Sequence, residues 1–98
     1  MKTAKTLENG VLTVELDGKL DNTTTPSLGD EIKAYINDTD KLIIDMKNLN
    51  YFSSAGLRLL LSLHKKMKKK GGMIIKNVNS ENMEVFELTG FKDIINIE

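Results

Sequence analysis

The chain has no cysteine, no tryptophan, one proline and one histidine among its 98 residues. The first absence excludes a disulfide framework and a thiolate metal site. With a single histidine and no cysteine, the chain cannot build a zinc site or a cysteine–histidine nucleophile by itself. Net charge is missing too, because 14 basic side chains offset 14 acidic ones. That balance speaks against a broad electrostatic footprint on nucleic acid or anionic membrane. No segment approaches the ~18 consecutive apolar residues of a spanning helix. Met1-Lys2-Thr3-Ala4-Lys5-Thr6 has lysine but no apolar stretch behind it, so no secretory signal is expected. These readings lead us to expect a soluble, cytoplasmic protein with no nucleic-acid partner and no membrane insertion. There is no Gly-x-x-x-x-Gly-Lys-Ser/Thr loop for phosphates and no Gly-x-Ser-x-Gly elbow for a nucleophile. Asp17, Asp21 and Asp45 show no spacing that defines an acid–base pair. We therefore expect neither an enzyme nor a cofactor.

What is present is an alternation of strand and helix signals across a single domain, residues 1–98. Asn9-Gly10 is a two-residue hairpin signal between a weak strand, Thr3 to Glu8, and the alternating Leu12, Val14 and Leu16. Asp17-Gly18 is expected to end that strand. A polar loop, Asp21 to Thr25, leads to Thr25-Pro26, a cap and first-turn pair. Leu28, Ile32, Tyr35 and Ile36 follow at helical spacing. Leu42-Ile43-Ile44 suits a central strand buried on both faces, and Met46 to Ser53 reads as a loop. In the next helix Leu57, Leu59, Leu60, Leu61, Leu63 and Met67 form one broad apolar side. Met73-Ile74-Ile75 is a further strand. Ser80 is expected to cap a third helix that turns Met83, Val85 and Phe86 inward and stops at Thr89-Gly90. Ile94 to Ile97 is a last extended piece. The order implies an α/β fold: a mixed, mainly parallel sheet of four to five strands, an N-terminal β-hairpin and three or more helices.

The most informative segment is Tyr51-Phe52-Ser53-Ser54-Ala55-Gly56-Leu57-Arg58, where a strand gives way to an apolar helix. A serine there can cap the helix by accepting a bond from an unpaired backbone donor. The same helix start also favours an anion, and a phosphate on serine would add close to two negative charges there without breaking the fold. Both roles are compatible. Gly56 costs the first turn up to ~1 kcal/mol against alanine. It marks either tolerance in a frayed turn or the close approach of another backbone or molecule. His64 reads as a packed or interfacial side chain. Lys65, Lys66, Lys68, Lys69 and Lys70 read as a solvated helix end that complements the dipole, or as a docking surface for an acidic partner.

Three blocks in order resemble the anti-sigma-factor antagonists, the small bacterial proteins built on a STAS domain. They are Gly18-Lys19-Leu20-Asp21, the stretch from Asp45 through Tyr51 to Arg58, and Val78-Asn79 with Glu87-Leu88-Thr89-Gly90-Phe91. The resemblance covers nearly the whole chain and implies a STAS-like fold. It implies partner switching, in which the unphosphorylated form binds an anti-sigma-factor serine kinase and frees a sigma factor. Phosphorylation by that kinase blocks binding, and a serine phosphatase resets the switch. Carried over by position, the phosphoacceptor is Ser54, and Asp21, Ser53, Gly56, Leu57 and Arg58 match positions expected in the partner interface. Many members have aspartate where this chain has Ser53, so Ser53 is a second candidate acceptor. A STAS module with another output, such as an accessory subunit of a transport complex, is the alternative.

Overall fold

In the computed structural model, which describes residues 1–98, Asn9 and Gly10 both adopt positive φ, 51° and 80°. That geometry matches the right-handed twist of the strands it joins, β1 (Lys2–Glu8) and β2 (Val11–Leu20). The chain continues through α1 (Thr25–Lys33), β3 (Lys41–Phe52), α2 (Ser54–Met67), β4 (Met73–Lys76), α3 (Ser80–Thr89) and β5 (Asn96–Ile97). Two short 3₁₀ turns, Ile36–Asp38 and Phe91–Asp93, follow α1 and α3.

The strands lie in sequence order, β1-β2-β3-β4-β5. The first pair is antiparallel and the other three are parallel. Right-handed crossovers in sequential order keep every helix on the same side of the sheet. One core results. Leu12, Val14 and Leu16 of β2, with Leu42, Ile44 and Met46 of β3, meet Leu28, Ile32, Leu60, Leu63, Met67 and Phe86 from the helices. Ile43, expected to be buried, is only half-buried, because it points to the face that no helix covers. A glycine with φ 78°, Gly90, ends α3 as the sequence suggests.

Several boundaries differ from expectation. The sheet does not stop at Asp17-Gly18 or at Met46. Strands β2 and β3 continue together to Leu20 and Phe52, with register shifts between Glu15 and Asp17 and between Gly18 and Lys19. The extra residues lie in β3, so Met46, Leu49 and Phe52 face the core at a spacing of three rather than two. Such β-bulges hide a strand from a period-two reading. The first helix starts after Thr24, not Thr25, and Tyr35 and Ile36 lie beyond its end. The third helix is capped by Asn79, whose side-chain oxygen accepts from the Asn82 N–H at 2.8 Å, rather than by Ser80. Phe86 is fully buried as expected, whereas Met83 and Val85 are only half-buried and Asn82 takes an inward position. The final extended piece shrinks to β5, because Phe91 to Ile94 coil and leave Ile94 exposed.

Candidate functional site

Parallel pairing puts the carboxyl ends of neighbouring strands side by side, so the loops that follow them meet. Leu20 ends β2 opposite Phe52, which ends β3. The Ser53 N–H donates to the Leu20 carbonyl at 2.8 Å and so closes this pair of strand ends. Beyond Leu20, residues 21–24 form a tight loop. Beyond Ser53, α2 begins at once.

The loop is organised by Asp21. One carboxylate oxygen, Oδ1, accepts from the Thr23 hydroxyl at 2.7 Å, the Thr23 N–H at 2.9 Å and the Thr24 N–H at 3.1 Å. In return the Thr24 hydroxyl accepts from the Asp21 N–H at 2.9 Å and donates to the Lys19 carbonyl at 2.9 Å. The bonds from the Thr23 side chain and the Thr23 and Thr24 backbone stabilise the ionised form, and they lower the Asp21 carboxyl from the usual 3.8 to about 2. Asp45, by contrast, accepts from the Lys47 N–H and the Asn77 amide in a separate turn. The structure does not join these two carboxylates into one site.

At the start of α2, Ser53 holds the N-cap position with extended backbone, φ −93° and ψ 178°, but its side chain caps nothing. The capping expectation therefore fails at the side chain. Its hydroxyl instead donates to the Asn22 side-chain oxygen across a long 3.4 Å. Leu57 is the first residue whose N–H reaches back, to the Ser53 carbonyl at 3.0 Å. The N–H groups of Ser54, Ala55 and Gly56 have no protein acceptor. These are the unpaired donors of a helix start, with the positive end of the dipole behind them. Ser54, at the first helical position, is exposed. Arg58 is exposed one turn further along the same face, and Leu57 is half-buried.

Gly56 belongs to the interior of this arrangement. A Cβ there would stand 3.0 Å from the Leu20 side chain and 3.2 Å from the Leu20 carbonyl oxygen. It marks a close backbone approach, and the approach is from within the chain. Asn22 is the neighbour that sequence reasoning missed, because it lies 31 residues before Ser53. The signal available was topological: adjacent parallel strands bring the loops after Leu20 and Phe52 together.

His64 is half-buried on α2, ten residues beyond Ser54. That is about 15 Å along the helix axis, so the two cannot form a nucleophile–base pair. Lys65 and Lys66 lie in the last turn of α2, and Lys68 to Lys70 lie in the turn after it. The Lys70 ammonium is tied to the Ile36 and Thr39 carbonyls at 2.6 and 2.9 Å. No helix is long and apolar enough to cross a membrane.

Residues 2–98 match the family model of the STAS domain. The chain belongs to the STAS domain family. Among curated relatives, this STAS domain is 31% identical over 85 residues to the anti-sigma-B factor antagonist of Bacillus subtilis strain 168, covering 86% of this chain and 78% of that protein. It is 30% identical over 91 residues to the anti-sigma F factor antagonist of Paenibacillus polymyxa, covering 90% of this chain and 78% of that one. Among solved structures, an anti-sigma factor antagonist from Mycobacterium paratuberculosis superposes with a TM-score of 0.88 at 26% identity, covering 98% of this chain and 83% of that chain. The sheet order, the hairpin and the three helices are those of the STAS fold.

Proposed function

We propose that this STAS domain is an anti-sigma-factor antagonist that works as a binding module in the cytoplasm. Its unphosphorylated form binds an anti-sigma-factor serine kinase and frees a sigma factor. Phosphorylation at Ser54 blocks that binding, and a serine phosphatase restores it. The observation that carries the reading is the exposed Ser54 hydroxyl on an uncapped helix start, in a domain similar to named antagonists. Asp21, Ser53, Leu57 and Arg58 border this point and supply the contact surface. Gly56 acts from beneath, since packing on Leu20 fixes where the helix begins.

The choice of Ser54 over Ser53 has a geometric support. Ser53 is half-buried and its hydroxyl faces Asn22, whereas Ser54 is open to an approaching kinase. The switch itself follows from solvation. Unmodified, the serine presents a small uncharged surface that a partner can cover. A phosphate puts a strongly hydrated dianion into the contact. A hundredfold loss of affinity needs only about 2.7 kcal/mol, and desolvating such a charge readily supplies it.

The test is a pull-down from the host with wild type, Ser54→Ala and Ser54→Asp, together with intact-mass measurement of the native protein. A kinase of the anti-sigma class retained by the alanine variant and lost by the aspartate variant supports the mechanism. Equal retention by both, or no phosphate on the protein under any growth condition, overturns it.

A further inference from the structure

Arg58 has no structural task. Its side chain is exposed and makes no hydrogen bond, and the one ion pair of the chain is Lys5–Glu31, at 2.8 Å between β1 and α1. It nevertheless sits at a specific place, four residues after Ser54 on α2. Residues at i and i+4 are neighbours on a helix surface. Every Cα–Cβ bond tilts toward the helix N-terminus, so a side chain as long as arginine at 58 can reach position 54, although it here borders a surface hollow with Leu61, Ser62 and Lys65. Guanidinium also carries a permanent positive charge, which favours the dianionic form of a nearby phosphate.

We infer that Arg58 is the internal counter-ion of the switch, the group that receives the phosphate once Ser54 is modified. This rests on the reading of Ser54 as phosphoacceptor and adds how the modified state is held. Other charges near this end of the domain include Lys19, near the end of β2, Asp21 in the following loop, and the Met1 ammonium and Lys2, which lie beside Gly18 and Asp17. The Asp21 carboxylate opposes the phosphate and is already committed to Thr23 and Thr24. Lys19 is two residues further back on β2 and pairs in register with Tyr51. Arg58 is the cation placed to reach Ser54 along a single helix face. In the unphosphorylated domain the guanidinium is free to meet an acidic group of a partner. In the phosphorylated domain it is drawn onto the phosphate. One modification thus adds a dianion and withdraws a cation from the same surface.

The test uses the full chain with phosphoserine installed at position 54 during translation, so it needs no kinase. Phosphorus NMR titration then follows the second ionisation of the phosphate in wild type, Arg58→Gln and Arg58→Lys. An i,i+4 ion pair predicts a midpoint about 0.3 pH unit higher in Arg58→Gln than in wild type at low salt. Arg58→Lys, which keeps the charge, recovers most of the difference. Salt near 1 M shrinks it, because the pair is exposed. Equal midpoints in wild type and Arg58→Gln at low salt overturn the inference, as does a difference that lysine fails to reduce. Absence of phosphate on Ser54 in the host would remove the proposed function while leaving this ion pair measurable.

Discussion

Gly56 of α2 rests directly on Leu20 of β2, close enough that a methyl group between them would stand 3.0 Å from the leucine side chain. Leu20 cannot withdraw. Its side chain is fully buried, and its carbonyl is bonded to the Ser53 N–H. Gly56→Ala therefore forces α2 away from the strand end. Alanine gains up to ~1 kcal/mol in helix propensity, while overpacking costs ~1–3 kcal/mol. We expect a net destabilisation of about 1–2 kcal/mol, read from urea denaturation. An unchanged or raised midpoint would show that the helix start shifts without cost. Partner binding should fall further than stability does, since Ser54 moves with the helix.

Asp21 gives the fold a pH dependence with a defined sign. Its carboxyl is about 2 in the folded domain against 3.8 when unconstrained, owing first to the Thr23 hydroxyl. A depressed carboxyl stabilises the fold fully above its unfolded value, and that contribution fades as pH falls from about 4 toward 2. Glu31, lowered chiefly by its bond from Lys5, adds to the same acid slope. Asp21→Asn removes the first contribution and keeps the second. The urea midpoint of wild type should thus drop more between pH 5 and pH 3 than that of Asp21→Asn. Parallel curves would mean that the loop does not depend on the ionised carboxylate.

The fold was largely legible because its signals are local. Asn9-Gly10 demands its turn, Gly90 ends its helix, and alternation of strands with amphipathic segments dictates crossovers. The misreadings came where non-local pairing overrides local pattern. Met46, Leu49 and Phe52 are held in β3 by β2, and bulges break the alternation that would reveal them. Asn79 displaced Ser80 as cap through a one-residue shift that either sequence choice would satisfy. At the site, Ser54 and Arg58 were visible in one segment, whereas Asn22 and Leu20 enter only through strand pairing. Gly56 announced a close approach but not its source.

Phe86 of α3 stacks on Phe52 with ring centroids 4.8 Å apart, and Phe52 immediately precedes the Ser53-Ser54 pair. Phe86 is fully buried. Its replacement by alanine opens a cavity and should cost ~3–5 kcal/mol, much of the ~5–15 kcal/mol that holds a typical domain. Phe86→Leu keeps most of the volume and loses the aromatic pairing, worth ~0.5–1.5 kcal/mol. It should remain folded yet exchange amide hydrogens faster at Ser53 and Leu57, the bonded N–H groups on either side of the helix start. Faster exchange confined to α3 would show that the stack does not support the site.

Ser54→Asp separates a switch on the surface from a switch in the fold. The hydroxyl of Ser54 bonds to nothing, so its loss removes no partner. The first turn of α2 carries no acidic residue, and its leading N–H groups are unpaired. A carboxylate there meets the positive end of the helix and contributes ~0.3–1 kcal/mol at low salt. The variant should match or slightly exceed wild type in thermal stability, with the excess shrinking as salt rises. Binding to the partner should fall by about a hundredfold, equivalent to ~2.7 kcal/mol. Loss of binding with stability kept assigns the effect to charge in the interface. A melting temperature lowered by several degrees would instead assign it to a loosened α2, and the surface account of the switch would fail.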